Sequence, residues 1–292
     1  MNKKHLFLAL LILGTACWGL SFPITKMAVT GVSQSIFLVY RFALATLVLT
    51  IVLFRHVSRT SRKQLTGGML LAIPLTMGIY LQTSGLRHSS ASQCAFVAGM
   101  SVIIIPLIKL IVYKTAVELR IWIAATIALA GLFVISVNGH FDIGTGDLYT
   151  MAGAFCFAFY LIRIERYTAK GNIVPTIVPM FFTCTVITLC VALTERHANW
   201  LPDTRGFWPG IIYCALFATA FMYTVSNMSQ RYIPAEKVAI IYLFEPVFAA
   251  LAAYFLLNEI LSWRLVVGGI LILAGTMIAE IRPKKKAVTK MA

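Results

Sequence analysis

The chain has 292 residues, of which 60% are hydrophobic and only 12% charged, with a mean hydropathy of +0.86. A soluble domain is about 45–50% apolar and about 25% charged, so this composition excludes a soluble fold and identifies an integral membrane protein. The net charge of +15 does not mark a nucleic-acid binder, because the basic residues are scattered between apolar runs and form no patch.

A membrane helix needs ~20 apolar residues, so a chain of this length has room for about ten. Apolar runs at roughly 6–29, 34–54, 66–86, 91–112, 121–137, 147–164, 175–194, 207–228, 238–257 and 265–281 predict ten spans. The first follows MNKKH and has some look of a signal peptide. No small-x-small site ends it and WGLSFPITKMAV continues it, so it is expected to remain as span one. Thr15, Trp18 and Phe22 share one face there, with Lys26 near the outer end. Arg41 lies in span two, about 10 Å deep at 1.5 Å per residue. It could bind a substrate carboxylate or pair with an acidic residue. Thr76 and Tyr80 share a face in span three, Cys156 and Tyr160 in span six, and Thr219, Tyr223 and Asn227 in span eight. Lys109, near the inner end of span four, is expected to snorkel to the interface.

Span nine contains YLFEPVF, which places Glu245 near mid-membrane beside Tyr242. A charged residue at a helix centre costs roughly 2.5–3.5 kcal/mol on insertion scales, so Glu245 should face the bundle interior or a water-filled cavity. Pro246 is expected to free the carbonyl of Tyr242 one turn earlier. Two roles stay open for Glu245: a site for a cation, a substrate ammonium or a coupling proton, and a structural clamp on another helix. Other prolines (Pro23, Pro74, Pro106 and Pro179) are expected to interrupt spans. Glu118 and Glu259 should make loop pairs or caps at span ends. The six cysteines form no CxxC and all fall in apolar runs, so they are expected as small buried residues.

Orientation follows from Lys and Arg. Eighteen of the 25 fall on one side of these spans, four on the other and three within. The rich side is expected to be cytoplasmic and to hold both termini.

The chain also repeats itself. GTACWGLSFPITK from Gly14 aligns with GAFCFAFYLIRIE from Gly153, matching Gly with Gly, Cys17 with Cys156 and Trp18 with Phe157. Pro106 and Pro246 end comparable stretches further on. Two units result, 1–138 and 139–292, the second with a basic tail. Five spans per unit is odd, so the second unit would enter the membrane inverted, as in many secondary transporters.

WGLSFPITK (18–26), the YRF arginine Arg41, SASQCAFVAGMSVIIIP (90–106) and YIPAEKVAIIYLFEPVFAALAAYFLLNE (232–259) resemble EamA-type members of the drug/metabolite transporter superfamily. The resemblance covers nearly the whole chain. It implies an all-α membrane protein with ten transmembrane helices in two inverted five-helix repeats and a bacterial inner-membrane location. It also implies transport of a small metabolite, often export of amino acids or related compounds. One departure is Lys114-Thr-Ala-Val-Glu118, where the family often reads LGE.

Nothing points to catalysis. There is no P-loop, HExxH or GxSxG, and the five histidines are separated along the chain. The expectation is therefore a cofactor-free, non-enzymatic transporter, working as a monomer in a lipid bilayer without nucleic acid. Alternating access would carry an amino acid or related amphipathic solute, by way of Trp18, Phe22, Arg41, Tyr80, Tyr160, Tyr223, Asn227, Tyr242 and Glu245. Proton coupling through Glu245 and uncoupled movement remain rivals. So do export and import, and a membrane enzyme or lipid-handling protein is the reading from another class.

Overall fold

A computed structural model describes residues 3–29, 32–89, 91–136, 144–195, 199–202, 206–248, 251 and 263–281. The described residues are almost all helical: α1 (Lys3–Ala28), α2 (Gln34–Val52), a single turn α3 (Phe54–Val57), α4 (Arg62–His88), α5 (Ala91–Gly99) and α6 (Ser101–Ile111). Then follow α7 (Leu119–Ser136), α8 (Thr145–Thr168), α9 (Val174–Leu193), α10 (Phe207–Ala215), a π-helical stretch (Leu216–Phe221), α11 (Met222–Ser229), α12 (Ala235–Tyr242) and α13 (Trp263–Glu280). Among them are eight helical segments long and apolar enough to cross a membrane, with Leu119–Ile135 as a shorter apolar helix. The expected span 238–257 runs into residues outside those described, as does Glu259.

Local chemistry sets the boundaries. Ser61 and Gln64 form a reciprocal capping box that starts α4. Asp147 accepts from the backbone N–H of Gly144 at the start of α8. Within the helices, hydroxyls such as those of Thr15, Thr46 and Thr83 donate to the carbonyl four residues earlier. That satisfies them where no water reaches. The lipid-facing surface carries large apolar side chains such as Ile51, Ile111, Phe182 and Met277.

α4 packs along α8, α2 along α9, α7 along α13, and α1 along α10 and α11. Glycines permit the closest crossings. A Cβ on Gly131 would stand 2.5 Å from the Gly268 carbonyl, and one on Gly268 would stand equally close to the carbonyl of Gly131. A Cβ on Gly153 would lie 3.0 Å from the carbonyl of Gly78, where α4 meets α8. Small residues let backbones approach this way in a membrane bundle.

One end of the bundle is rich in ion pairs and is called here the basic end. Glu280 at the close of α13 holds Lys4 of α1 and Lys237 of α12. Lys109 of α6 meets Glu165 of α8 at 2.6 Å and Glu236 of α12 at 2.5 Å. Lys109 is only 9% exposed. It therefore does not snorkel as the sequence suggested, because two carboxylates hold it inside. α1 begins at the end where α8 finishes.

The prolines also depart from expectation. Pro23, Pro74, Pro106 and Pro179 lie within continuous helices. The interruptions fall at Met100, between α5 and α6, and at 243–244, after α12. Helix resumes at 245, so Pro246 sits in a first turn, where a missing N–H costs little. Its place is thus just after the break at 243–244, α12 having already ended at Tyr242, and it does not free a carbonyl inside a running helix. All six cysteines are free, and Cys190 is exposed where burial was expected.

Candidate functional site

The two helix interruptions face each other. A Cβ on Gly99 would lie 2.9 Å from Leu243. Between and beyond them a cavity opens, with about 910 Å³ of space between its lining atoms, mouth included. The part open to the centres of water-sized spheres is about 80 Å³. One water occupies roughly 10–15 Å³ by that measure, so the space suits several waters or one small solute. Thr25, Leu86 and Thr150 line it toward the end opposite the ion pairs, and Tyr223 and Tyr242 line it toward the basic end.

Among the described residues its basic and acidic lining side chains are Arg41 and Glu245. Arg41 on α2 is 6% exposed, and its Nε donates to Thr219 Oγ1 at 2.7 Å. Glu245 stands at the start of the resumed helix, and its Oε1 is buried without a hydrogen-bond partner among the described residues. Among the described residues no ion pair joins Arg41 to Glu245, so the two charges are held apart across the same space.

Aromatic rings supply the floor. Trp18 packs edge-on against Tyr242 at 4.9 Å and Tyr223 at 5.2 Å, and lies 5.8 Å from Phe157. Its indole Nε1 donates to the carbonyl of Ala218 at 2.7 Å. Ala218 and Thr219 both belong to the π-helical stretch. Widened i→i+5 turns leave backbone carbonyls for outside donors and recur at functional sites. This one stretch therefore positions both Trp18 and Arg41.

Of the residues singled out from sequence, Trp18, Phe22, Arg41, Tyr223, Tyr242 and Glu245 share the cavity wall. Tyr80, Tyr160 and Asn227 do not belong to it. Tyr80 accepts from Ser35 Oγ at 3.3 Å, against α2. Tyr160 donates to Asn227 Oδ1 at 2.6 Å, and both are fully buried just below the cavity. Lys26 donates to the carbonyl of Ser89 at 3.3 Å, and Glu118 pairs with Arg120. The sequence reading passed over Gln82, Thr83 and Thr150, which add polar atoms to the wall. A glutamine or threonine within an apolar run carries no signal that separates a cavity wall from packing.

A family model described as the EamA-like transporter family matches residues 5–137 and again 144–280. An uncharacterized transporter of Archaeoglobus fulgidus is 26% identical over 265 residues, covering 91% of this chain and 82% of its own length. One from Bacillus subtilis is 24% identical over 95% of this chain and 94% of its own length. An S-adenosylmethionine uptake transporter of Rickettsia prowazekii is 21% identical over 76% of this chain and 74% of its own length. A solved crystal structure superposes with a TM-score of 0.76 at 14% identity, over 96% of this chain and 97% of that one. That likeness establishes the fold alone.

Proposed function

We propose a specific activity for this chain, which belongs to the EamA-like transporter family: alternating-access transport of a zwitterionic, amino-acid-like metabolite through the cavity between α2, α4, α8 and α12. The carrying observation is that Arg41 and Glu245 line one aromatic-walled space and, among the described residues, form no ion pair with each other. A guanidinium matches a carboxylate by forked hydrogen bonds. An enclosed carboxylate with a free oxygen matches an ammonium. Trp18, Phe22 and Tyr223 would cover the apolar part of the solute.

The architecture we propose is two inverted five-helix units, 1–138 and 139–292. Four observations support it. The family model matches twice in succession. α1 and α8, the first helices of the two units, run in opposite senses. The packing partners exchange as a two-fold requires: α4 with α8 in one direction, α10 and α11 with α1 in the other. Trp18 and Phe157, the aligned aromatics, lie against each other, as residues near such an axis must. By the excess of Lys and Arg, the basic end and both termini are cytoplasmic, in a bacterial inner membrane. The cavity then opens away from the cytoplasm.

Export is the direction favoured here, with protons entering at Glu245 and uncoupled movement as the rival. Uptake is the second reading, because the Rickettsia relative is named for uptake and its solute is an amino acid derivative. Thermal melting of purified protein against amino acids and amines tests the proposal. Solutes carrying both an ammonium and a carboxylate should raise the melting temperature, and those lacking either group should not. If lone amines or lone carboxylates stabilise as strongly as zwitterions, the two-charge reading fails.

A further inference from the structure

Below the cavity, toward the basic end, two polar layers close the bundle. The cavity wall includes Ser101, Phe157, Tyr223 and Tyr242. In the next layer the Ser226 and Tyr242 hydroxyls share a 2.5 Å hydrogen bond, beside the Tyr160–Asn227 bond of 2.6 Å. The last layer is Lys109 with Glu165 and Glu236. From Ser101 to Lys109 is about 12 Å along the helix axis at 1.5 Å per residue.

α11 and Gln230, which caps it, contribute a polar stripe to this closed half. Tyr223, Ser226, Asn227 and Gln230 stand at i, i+3, i+4 and i+7, one face of a helix. Asn227 is 0% exposed and Gln230 4%. Among the described residues, Asn227 Nδ2 and both Gln230 Nε2 and Oε1 nonetheless have no hydrogen-bond partner. Burying an unpaired amide is unfavourable, and leucine would fill the same space without that penalty. Groups that lack partners when the path is shut would gain them when water or solute enters.

The seal has matching geometry. Lys109, Glu165 and Glu236 come from three helices, α6, α8 and α12, so those helices cannot separate at the basic end while the triad holds. α12 is also tied through Lys237 and Glu280 to α13 and α1.

We propose that the basic-end half of the permeation path runs down the stripe Tyr223–Ser226–Asn227–Gln230, and that Lys109 with its two carboxylates is the seal that parts to open it. This deepens the transport reading and rests on it. When the triad parts, Asn227 and Gln230 become the polar surface that passes the solute to the basic end.

The test needs no substrate. Gln230→Cys is introduced into the full chain in lipid nanodiscs and exposed to a charged, water-soluble maleimide. Peptide mapping reads each cysteine separately, so the native thiols remain. Labelling of Gln230→Cys should be slow with the triad intact and ~10-fold or more faster when Lys109→Ala biases the equilibrium toward the open form. Ile162→Cys, buried on α8 and outside the stripe, should stay slow in both backgrounds. If Lys109→Ala does not accumulate as folded protein, Glu236→Gln keeps the shape, removes one charge and provides the same comparison. Three results overturn the proposal: rapid labelling with the triad intact, no acceleration in a triad variant that still melts cooperatively, or equal acceleration at Ile162→Cys. Acceleration confined to Gln230→Cys, together with a melting screen in which lone amines or lone carboxylates stabilise as strongly as zwitterions, would keep the path and reject the zwitterion reading.

Discussion

Replacing Glu245 by glutamine removes a charge from the cavity and leaves its volume nearly unchanged. Among the described residues, Glu245 Oε1 is buried and has no hydrogen-bond partner. An ammonium placed there would gain a charge-assisted hydrogen bond, a contribution of about 1.5–3 kcal/mol. At 1.4 kcal/mol per factor of ten, its loss weakens binding by ~10- to 150-fold. The consequence is readable by melting. A ligand at ~100 times its Kd stabilises by about 2.7 kcal/mol, and after a 100-fold loss of affinity the same concentration gives only about 0.4 kcal/mol. The unliganded variant should melt no lower than the parent, because a buried carboxyl oxygen without a partner stabilises nothing. Thermal unfolding of both proteins, with and without the best zwitterion from the screen, measures both quantities. An unchanged ligand shift together with a lowered unliganded melting temperature would refute this reasoning and make Glu245 a clamp between helices.

Arg41→Met should weaken zwitterion binding by ~10-fold or more, as titration calorimetry would show. Tyr160→Phe removes the donor to Asn227 Oδ1, and that buried acceptor left alone should cost about 1–3 kcal/mol in chemical unfolding. Gly131→Leu forces α7 from α13, because its Cβ alone would reach within 2.5 Å of the Gly268 carbonyl. A loss of ~1–3 kcal/mol is expected. Gly171→Ala, with nothing within 4 Å of the new Cβ, should stay within about 0.5 kcal/mol of the parent in the same unfolding assay.

The sequence was legible where one residue's cost decides its place. Long apolar runs with few charges can satisfy their backbone in lipid only as helices, so the all-helical membrane fold was readable from composition. Arg41 and Glu245 are too costly to face lipid, so their burial was readable as well. Helical period then grouped Trp18 with Phe22, and Tyr242 with Glu245, on shared faces.

Period says which residues face the same way and nothing about what stands opposite. Tyr160 and Tyr223 carry the same signal, yet one bonds Asn227 and the other lines the cavity. Lys109 had the spacing of a snorkelling lysine, and only the approach of α8 and α12 turned it inward onto Glu165 and Glu236. The π-helical turn in LFATAF has no mark in its composition, and it exists with Trp18 and Arg41 as its partners. Sequence alone determined the solvent this chain folds in, because transfer free energy is a property of each side chain. Tertiary structure decided which polar groups pair, which line the cavity and which are left waiting for a partner, because those are properties of helix crossings.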